Sequence, residues 1–208
     1  MTEPAPLPRL WAFLKDMQVA PFGIPIMQRS WQVLTIFSLI DSLHMETFIE
    51  LGVWVGGLAD LLIRRAEMVG DIVYYGFDTC GVTCGQFQTD DSLGFTPERA
   101  AITQARLEGH PSLVLADVLE PTTVAVVSGI IRARPGPAFV YCDDGDKPRE
   151  MRTYAPILRV GDYMMSHDVP SGNSAADLAA FAVEMPYMVE VDPPLYRGLE
   201  LSLWRRFA

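Results

Sequence analysis

The sequence predicts an α/β fold: a doubly wound, mostly parallel seven-stranded sheet with helices ahead of it and an antiparallel strand at its C-terminal end. Three observations carry this prediction. From residue 46 onward, short apolar runs alternate with segments of helical periodicity. The runs are continuous rather than alternating polar and apolar, as expected of parallel strands covered on both faces. Such alternation gives right-handed crossovers between parallel neighbours.

The elements follow in order. Residues 1–8 hold three prolines and read as a loose arm. Leu10, Trp11, Phe13, Leu14 and Met17 recur at helical spacing and predict a helix over 8–18. The stretch 21–27 (PFGIPIM) is a loop, and Ser30 can cap a helix that buries Trp31, Leu34, Phe37, Leu39 and Ile40. Strands are predicted over 47–52, 72–78, 112–117, 138–143 and 162–168. The helices between them cover 58–69, 97–108, 121–133 and 148–159. The first ends at Gly70; the second opens on Thr96-Pro97 and ends at Gly109. After a helix over 174–185 come two strands, 187–192 and 199–206. They sit too close together for a helix between them, so the VDPPLYRG link predicts an antiparallel pair.

The 208 residues suit one domain, 46–208, with an N-terminal helical segment, 1–45, that can serve as a lid. Half the residues are hydrophobic and a fifth are charged, which excludes a disordered chain. The formal charge of −10 argues against a nucleic-acid binder, which needs a basic face. Fourteen of the 16 basic residues are Arg; the two Lys are Lys15 and Lys147. Three cysteines, Cys80, Cys84 and Cys142, make no disulfide framework and point to a reducing cytoplasm. With only His44, His110 and His167 beside them, they do not form a zinc set. The start MTEPAPLPRL lacks the pattern of a signal peptide, and no apolar run reaches the ~18 residues that span a bilayer.

In an open α/β sheet ligands bind beyond the carboxyl ends of the strands. There the first strand runs into Glu50-Leu51-Gly52-Val53-Trp54-Val55-Gly56-Gly57. A dinucleotide fingerprint would need glycine where Trp54 stands, and no Gly-Lys-Ser/Thr follows to make a P-loop. The acid-x-Gly-x-x-x-Gly pattern instead resembles motif I of class I S-adenosylmethionine-dependent methyltransferases. The resemblance implies that Gly52 and Gly56 make room for the amino-acid end of the cofactor while Glu50 anchors the turn. Asp78, 26 residues beyond Gly52, would accept the ribose hydroxyls, and Asp117 would hold the adenine amino group.

The fourth strand ends in Asp143-Asp144-Gly145-Asp146-Lys147 and the fifth in Ser166-His167-Asp168. Like charges this close need something positive among them, and converging carboxylates suit Mg²⁺ or another divalent cation. Asp144-Gly145-Asp146-Lys147 resembles the Asp-Ala-Asp-Lys segment of cation-dependent O-methyltransferases of the caffeoyl-CoA type and the Asp-x-x-Lys of the catechol type. That resemblance implies Asp144 and Asp168 as metal ligands and Lys147 as general base. The stretch Asp144–Asp168, with Tyr154-Ala155-Pro156-Ile157-Leu158, is also similar to macrocin-type O-methyltransferases and the cephalosporin hydroxylase-like group. So are Gly76-Phe77-Asp78 and Gly23-Ile24-Pro25-Ile26. The similarity covers 46–207 well and 22–45 weakly. The chain departs from the family in three places. Val169 stands where the family has a liganding Asn, Gly161-Asp162 replaces Gly-Gly, and the doubled acid leaves either Asp143 or Asp144 as ligand. Asp143 is otherwise grouped with the cofactor-binding acids.

The expected reaction moves a methyl from a sulfonium to a hydroxyl oxygen of a small molecule such as a sugar, a phenol or a polyketide. Lys147 or His167 would take the proton. Carboxylates beside Lys147 favour its charged form, so its base role needs the metal; without it, Lys147 pairs with Asp146. Two alternatives stay open: a metal-independent transferase using His167, and a cofactor-binding interaction protein, which Val169 and Asp162 keep in view. Trp11, Phe22, Met27, Trp31 and Trp54 are candidates for the acceptor pocket, and 20–30 and 79–95 for lids. The expected partner is the small-molecule acceptor, with a homodimer as an open option and neither nucleic acid nor membrane involved.

Overall fold

The computed structural model describes residues 28, 30–54, 56–79, 105 and 107–208. The expected helix 8–18, nearly all of 97–108, and both expected lids apart from Gln28, Ser30 and Thr79 lie outside these residues, as do Trp11, Phe22, Met27 and the side chain of Trp31.

The order of elements is α1 (Ser30–Ser42), β1 (Thr47–Leu51), α2 (Gly57–Val69), β2 (Val73–Asp78), β3 (Leu113–Leu115), α3 (Pro121–Arg132), β4 (Ala138–Cys142), α4 (Lys147–Tyr154), a 3₁₀ turn (Ala155–Ile157), β5 (Tyr163–Ser166), α5 (Ala175–Glu184), β6 (Met188–Glu190), α6 (Pro193–Gly198) and β7 (Ser202–Arg206). The seven strands lie in the order β3-β2-β1-β4-β5-β7-β6. All neighbours from β3 to β5 are parallel, and β7 is inserted antiparallel to both β5 and β6. The chain thus reverses strand order between β1 and β4, which places a crevice at their carboxyl ends.

Burial explains the continuous apolar runs. Successive residues of each central strand point to opposite faces, and both faces are covered. Phe48, Phe139, Tyr141, Tyr163 and Met165 pack with Ile36, Phe37 and Ile40 of α1 and Leu58, Leu61 and Leu62 of α2. Ile49, Val140, Cys142 and Met164 pack on the other side with Val127 and Ile131 of α3, Met151 and Tyr154 of α4, and Leu178 and Phe181 of α5. Phe48 stacks on Phe139 at 5.0 Å, and Phe181 meets Trp204 edge-on at 4.9 Å.

Local sequence sets the helix ends. Gly70 closes α2 in the left-handed conformation, at φ 70°. Ser174 and Asp177 form a reciprocal capping box on α5. Helix α4 stops at Tyr154, short of the expected 159, because Pro156 brings a 3₁₀ turn. The third strand is shorter than expected. The last two strands are antiparallel as expected, yet a short helix fits between them. Asp192 turns the chain at φ 43°, and Pro193-Pro194 supply the first helical turn. Among the described residues no helix is long and apolar enough to cross a membrane.

Replacing Ser174 by Ala removes one half of the capping box and should lower stability by about 1 kcal/mol. A shifted urea midpoint at constant slope would show it; an unchanged midpoint would mean that the cap contributes nothing to the fold.

Candidate active site

The turn after β1 is shaped by one close approach. Gly52 sits at φ +87°, and a Cβ built on it would lie 2.6 Å from the Asp144 nitrogen and 2.8 Å from the Asp143 carbonyl carbon. Only glycine permits both that backbone angle and that contact. The neighbouring backbones are tied as well: Gly52 N–H donates to Phe77 O and Asp143 N–H to Leu51 O, each at 2.9 Å. Asp78, at the end of β2, accepts from the N–H groups of Val53 and Trp54 through one carboxylate oxygen, each at 2.9 Å. Trp54 follows at φ 50° with its indole partly exposed, and Gly56 caps α2 at φ 83°. Three of the expected cofactor residues, Gly52, Gly56 and Asp78, therefore share one turn.

Glu50 lies just beneath it. The residue is fully buried and accepts a 2.5 Å hydrogen bond from Tyr74 Oη. Burial raises its pKa well above the ordinary carboxyl value; the Tyr74 bond only partly offsets this, and the charges of Asp143 and Asp78 add to it. Gly76 makes space for this pair, since a Cβ there would fall 2.5 Å from Tyr74 Oη. Asp117 lies beyond the short third strand, exposed, where its Oδ1 accepts from Leu119 N–H at 2.8 Å.

The ends of β4 and β5 bring the second group together. His167 N–H donates to Cys142 O at 3.2 Å, which sets the imidazole beside Asp143. Its Nδ1 lies 2.9 Å from Asp143 Oδ1 and 3.3 Å from Asp168 Oδ1. The other oxygen of Asp143 accepts from Gln28 Nε2 at 2.6 Å. Lys147 Nζ reaches Asp144 O at 2.8 Å, Asp168 Oδ2 at 3.2 Å and Asp143 Oδ1 at 3.8 Å. Asp168 itself turns at φ 56°, its carbonyl accepting from Gly172 and Asn173 N–H. Asp143, His167 and Asp168 each offer a ligand atom within 4.8 Å of the others.

Of the two positions that the doubled acid leaves open, Asp143 is the one whose carboxylate faces Asp168 among the described residues. Residue 143 leaves β4 directly and points to β5, whereas the Asp144 backbone is held by Lys147 and Glu150. Lys147 pairs with Asp168 and Asp143 rather than with Asp146, whose carboxylate caps α4 by accepting from Arg149 N–H. Burial lowers the affinity of His167 for a proton, but the hydrogen bond and charge of Asp143 and the charge of Asp168 outweigh it, and the pKa is raised.

Four residues absent from the sequence expectations belong to this region. Gln28 and Tyr74 hold Asp143 and Glu50. Tyr141 places its ring 6.3 Å from that of His167. Glu150 is completely buried under the Asp144 turn; its Oε2 accepts from Asp144 N–H at 3.4 Å and its Oε1 has no hydrogen-bond partner. Burial, then the charge of Asp144, pushes its pKa up to about 8. A polar residue ahead of an apolar helix was the only signal for Gln28; helical spacing alone did not mark Glu150 as buried.

No protein-family model matches the sequence, and no curated protein matches it as a relative. Solved structures do match. A protein from Staphylococcus aureus provisionally assigned as a caffeoyl-CoA O-methyltransferase superposes with a TM-score of 0.56 at 12% identity, over 95% of this chain and 92% of that one. A structure of CmcI with Mg and SAM gives 0.59 at 18% identity, over 88% and 74%. The calicheamicin methyltransferase CalS11 gives 0.53 at 15%, over 99% and 94%. The chain shares the fold of these three structures. At these identities the likeness is one of fold, and it agrees with the doubly wound, mostly parallel sheet expected from the sequence.

Two predictions test this geometry. Gly52→Ala should cost at least about 2 kcal/mol, because both the backbone angle and the Asp143–Asp144 backbone oppose a Cβ. Chemical denaturation would read it, and a loss below about 0.5 kcal/mol would contradict the close approach. Glu150, with its folded pKa raised to about 8, keeps its proton in the folded chain while the unfolded chain releases it. Stability should therefore fall as pH rises from the unfolded carboxyl value, near 4.5, to about 8, and level off above that. In Glu150→Gln that slope should shrink and stability at pH 8 should rise; an unaltered pH–stability curve would place the carboxyl in water.

Proposed function

We propose that the protein is an S-adenosylmethionine-dependent O-methyltransferase acting on a hydroxyl of a small molecule, assisted by a divalent cation. The observation that carries this reading is the adjacency of two features at the carboxyl ends of β1, β4 and β5. A glycine turn is pinned by Asp78, and beside it stands a cluster of Asp143, His167 and Asp168.

The cofactor fits the first feature. Gly52 and Gly56 put no side chain at two left-handed positions of the turn, and the ends of β1 and β2 supply Glu50 and Asp78. When bound, it supplies a methyl on a sulfonium. The chain's task is to align the acceptor oxygen with that methyl and to accept the hydroxyl proton. A cation fits the second feature, because two carboxylates and an imidazole form a donor set suited to a divalent ion. Asp143, His167 and Asp168 would hold it, and it would supply Lewis acidity that lowers the pKa of the acceptor hydroxyl. Lys147, buried and paired with Asp168, balances the carboxylate charge. Sugars, phenols and polyketides are the acceptor classes the reading covers.

The Asp143–His167 contact favours a second reading. A 2.9 Å bond from Nδ1 to Asp143 fixes one tautomer and leaves Nε2 as a base, without a metal.

The test is calorimetric titration with S-adenosylhomocysteine, followed by transfer of labelled methyl to a panel of phenols, sugars and macrolides with and without a chelator. Methyl transfer that falls at least tenfold with chelator supports the cation-assisted reading; undiminished transfer selects the His167 base. Absence of any binding of the homocysteine compound, with the protein folded, sinks both.

A further inference from the structure

The donor set speaks to which cation the cluster would take. We propose that it selects a borderline first-row ion, of the Mn²⁺, Fe²⁺, Co²⁺ or Zn²⁺ class, over Mg²⁺, with His167 Nδ1 as an inner ligand. The inference rests on the cation-assisted reading and deepens it.

Three features of the geometry support it. First, the spacing suits direct ligation. His167 Nδ1 lies 2.9 Å from Asp143 Oδ1 and 3.3 Å from Asp168 Oδ1. Ligand atoms about 2.1 Å from a common ion at right angles stand about 3.0 Å apart. Second, each carboxylate presents one oxygen. Asp143 Oδ2 is taken by Gln28 at 2.6 Å and Asp168 Oδ2 by Lys147 at 3.2 Å, while Lys147 Nζ stands farther off, 3.8 Å, from Asp143 Oδ1. These outer partners orient the remaining oxygens toward His167, as outer hydrogen bonds do at metal sites. Lys147 can therefore keep its partner while an ion shares Asp168. Third, the imidazole is preorganised. His167 is 8% exposed, its backbone N–H is fixed on Cys142 O, and its ring lies against Tyr141.

The third donor decides selectivity. Mg²⁺ takes oxygen ligands, demands a near-regular octahedron and gives up water reluctantly. An imidazole nitrogen that is buried and already aligned offers Mg²⁺ little, and it suits the borderline ions. The Lys147 ammonium opposes any cation by Coulomb repulsion, so it lowers affinity without changing the ranking.

The test uses the full chain stripped of metal. Co²⁺ is titrated by its ligand-field absorption, Mn²⁺ by its free-ion EPR signal, and Mg²⁺ by competition against each. The expected result is binding of Co²⁺ and Mn²⁺ at least about 100-fold tighter than Mg²⁺, with nitrogen coupling in pulsed EPR of the bound Mn²⁺. His167→Asp, an all-oxygen variant, should reduce the Co²⁺-over-Mg²⁺ ratio at least tenfold, and Lys147→Met should move all three affinities in the same direction and leave that ratio unchanged. Mg²⁺ competing on a par with Co²⁺, or bound Mn²⁺ without nitrogen coupling, overturns the inference even if His167→Asp fails to fold. If no divalent ion binds while S-adenosylhomocysteine does, the inference and the cation-assisted reading both fail and the metal-free His167 reading stands.

Discussion

The turn after β1 passes so close to the turn after β4 that no side chain fits between them at Gly52. That contact sets the distance between the two strand ends that carry the glycine turn and the acidic cluster. With the β4 turn lying against Gly52, Asp143 is directed sideways toward β5 and meets His167 and Asp168. With Gly52 in the left-handed conformation, the next two N–H groups point to Asp78 at the end of β2. One residue without a Cβ therefore coordinates the ends of four adjacent strands. Crossing strand order at β1 and β4 opens the crevice; the glycine keeps it narrow.

The acids around this contact survive burial in different ways. Asp143 is surrounded by donors, from Gln28, His167 and Lys147, and so has partners for its charge. Glu50 and Glu150 form no ion pair among the described residues and are pushed toward the neutral acid by desolvation, which the charge of Lys147 offsets only in part at Glu150. A neutral Glu50 can donate as well as accept, which suits a position beneath the turn, where the Tyr74 hydroxyl is its partner. Lys147 is the only Lys among the described residues, and it lies where three oxygens converge. An Arg fork at this point would need planar, bidentate partners, whereas the compact ammonium reaches a carbonyl and two carboxylates from different directions.

Most of the sheet was legible because a two-sided burial pattern leaves a strong trace. Runs such as AFVYC and YMMS have no polar face, and helices with clear caps separate them. The site was legible where chemistry is tied to a strand end: Asp78, Asp143, His167 and Asp168 all lie at or just beyond one. What could not be read depends on rotations finer than sequence spacing. Whether Asp143 or Asp144 faces β5 is decided by which of two adjacent residues leaves the strand first. Gln28 reaches Asp143 across 115 residues of sequence, a contact that no local pattern encodes. Helix α6 was missed because Asp192 starts it from a left-handed turn, a conformation seldom adopted outside glycine, asparagine and aspartate.

The two readings of His167 reduce to one atom. Nδ1 is the nitrogen that faces both Asp143 and Asp168. As a hydrogen-bond donor it carries the proton, and Nε2 is left with the lone pair a base needs. As a metal ligand it must give that proton up, and Nε2 then carries the hydrogen. A proton and a divalent ion thus compete for the same position, and His167 cannot serve as ligand and as this base together. The raised proton affinity of His167 comes from the same two carboxylates that would hold the ion. Their negative charge favours whichever cation is present, and the second positive charge of a metal gains more from it than a proton does. On the cation-assisted reading, the carboxylates around His167, which strengthen its hold on a proton, would also draw a divalent ion to the same place.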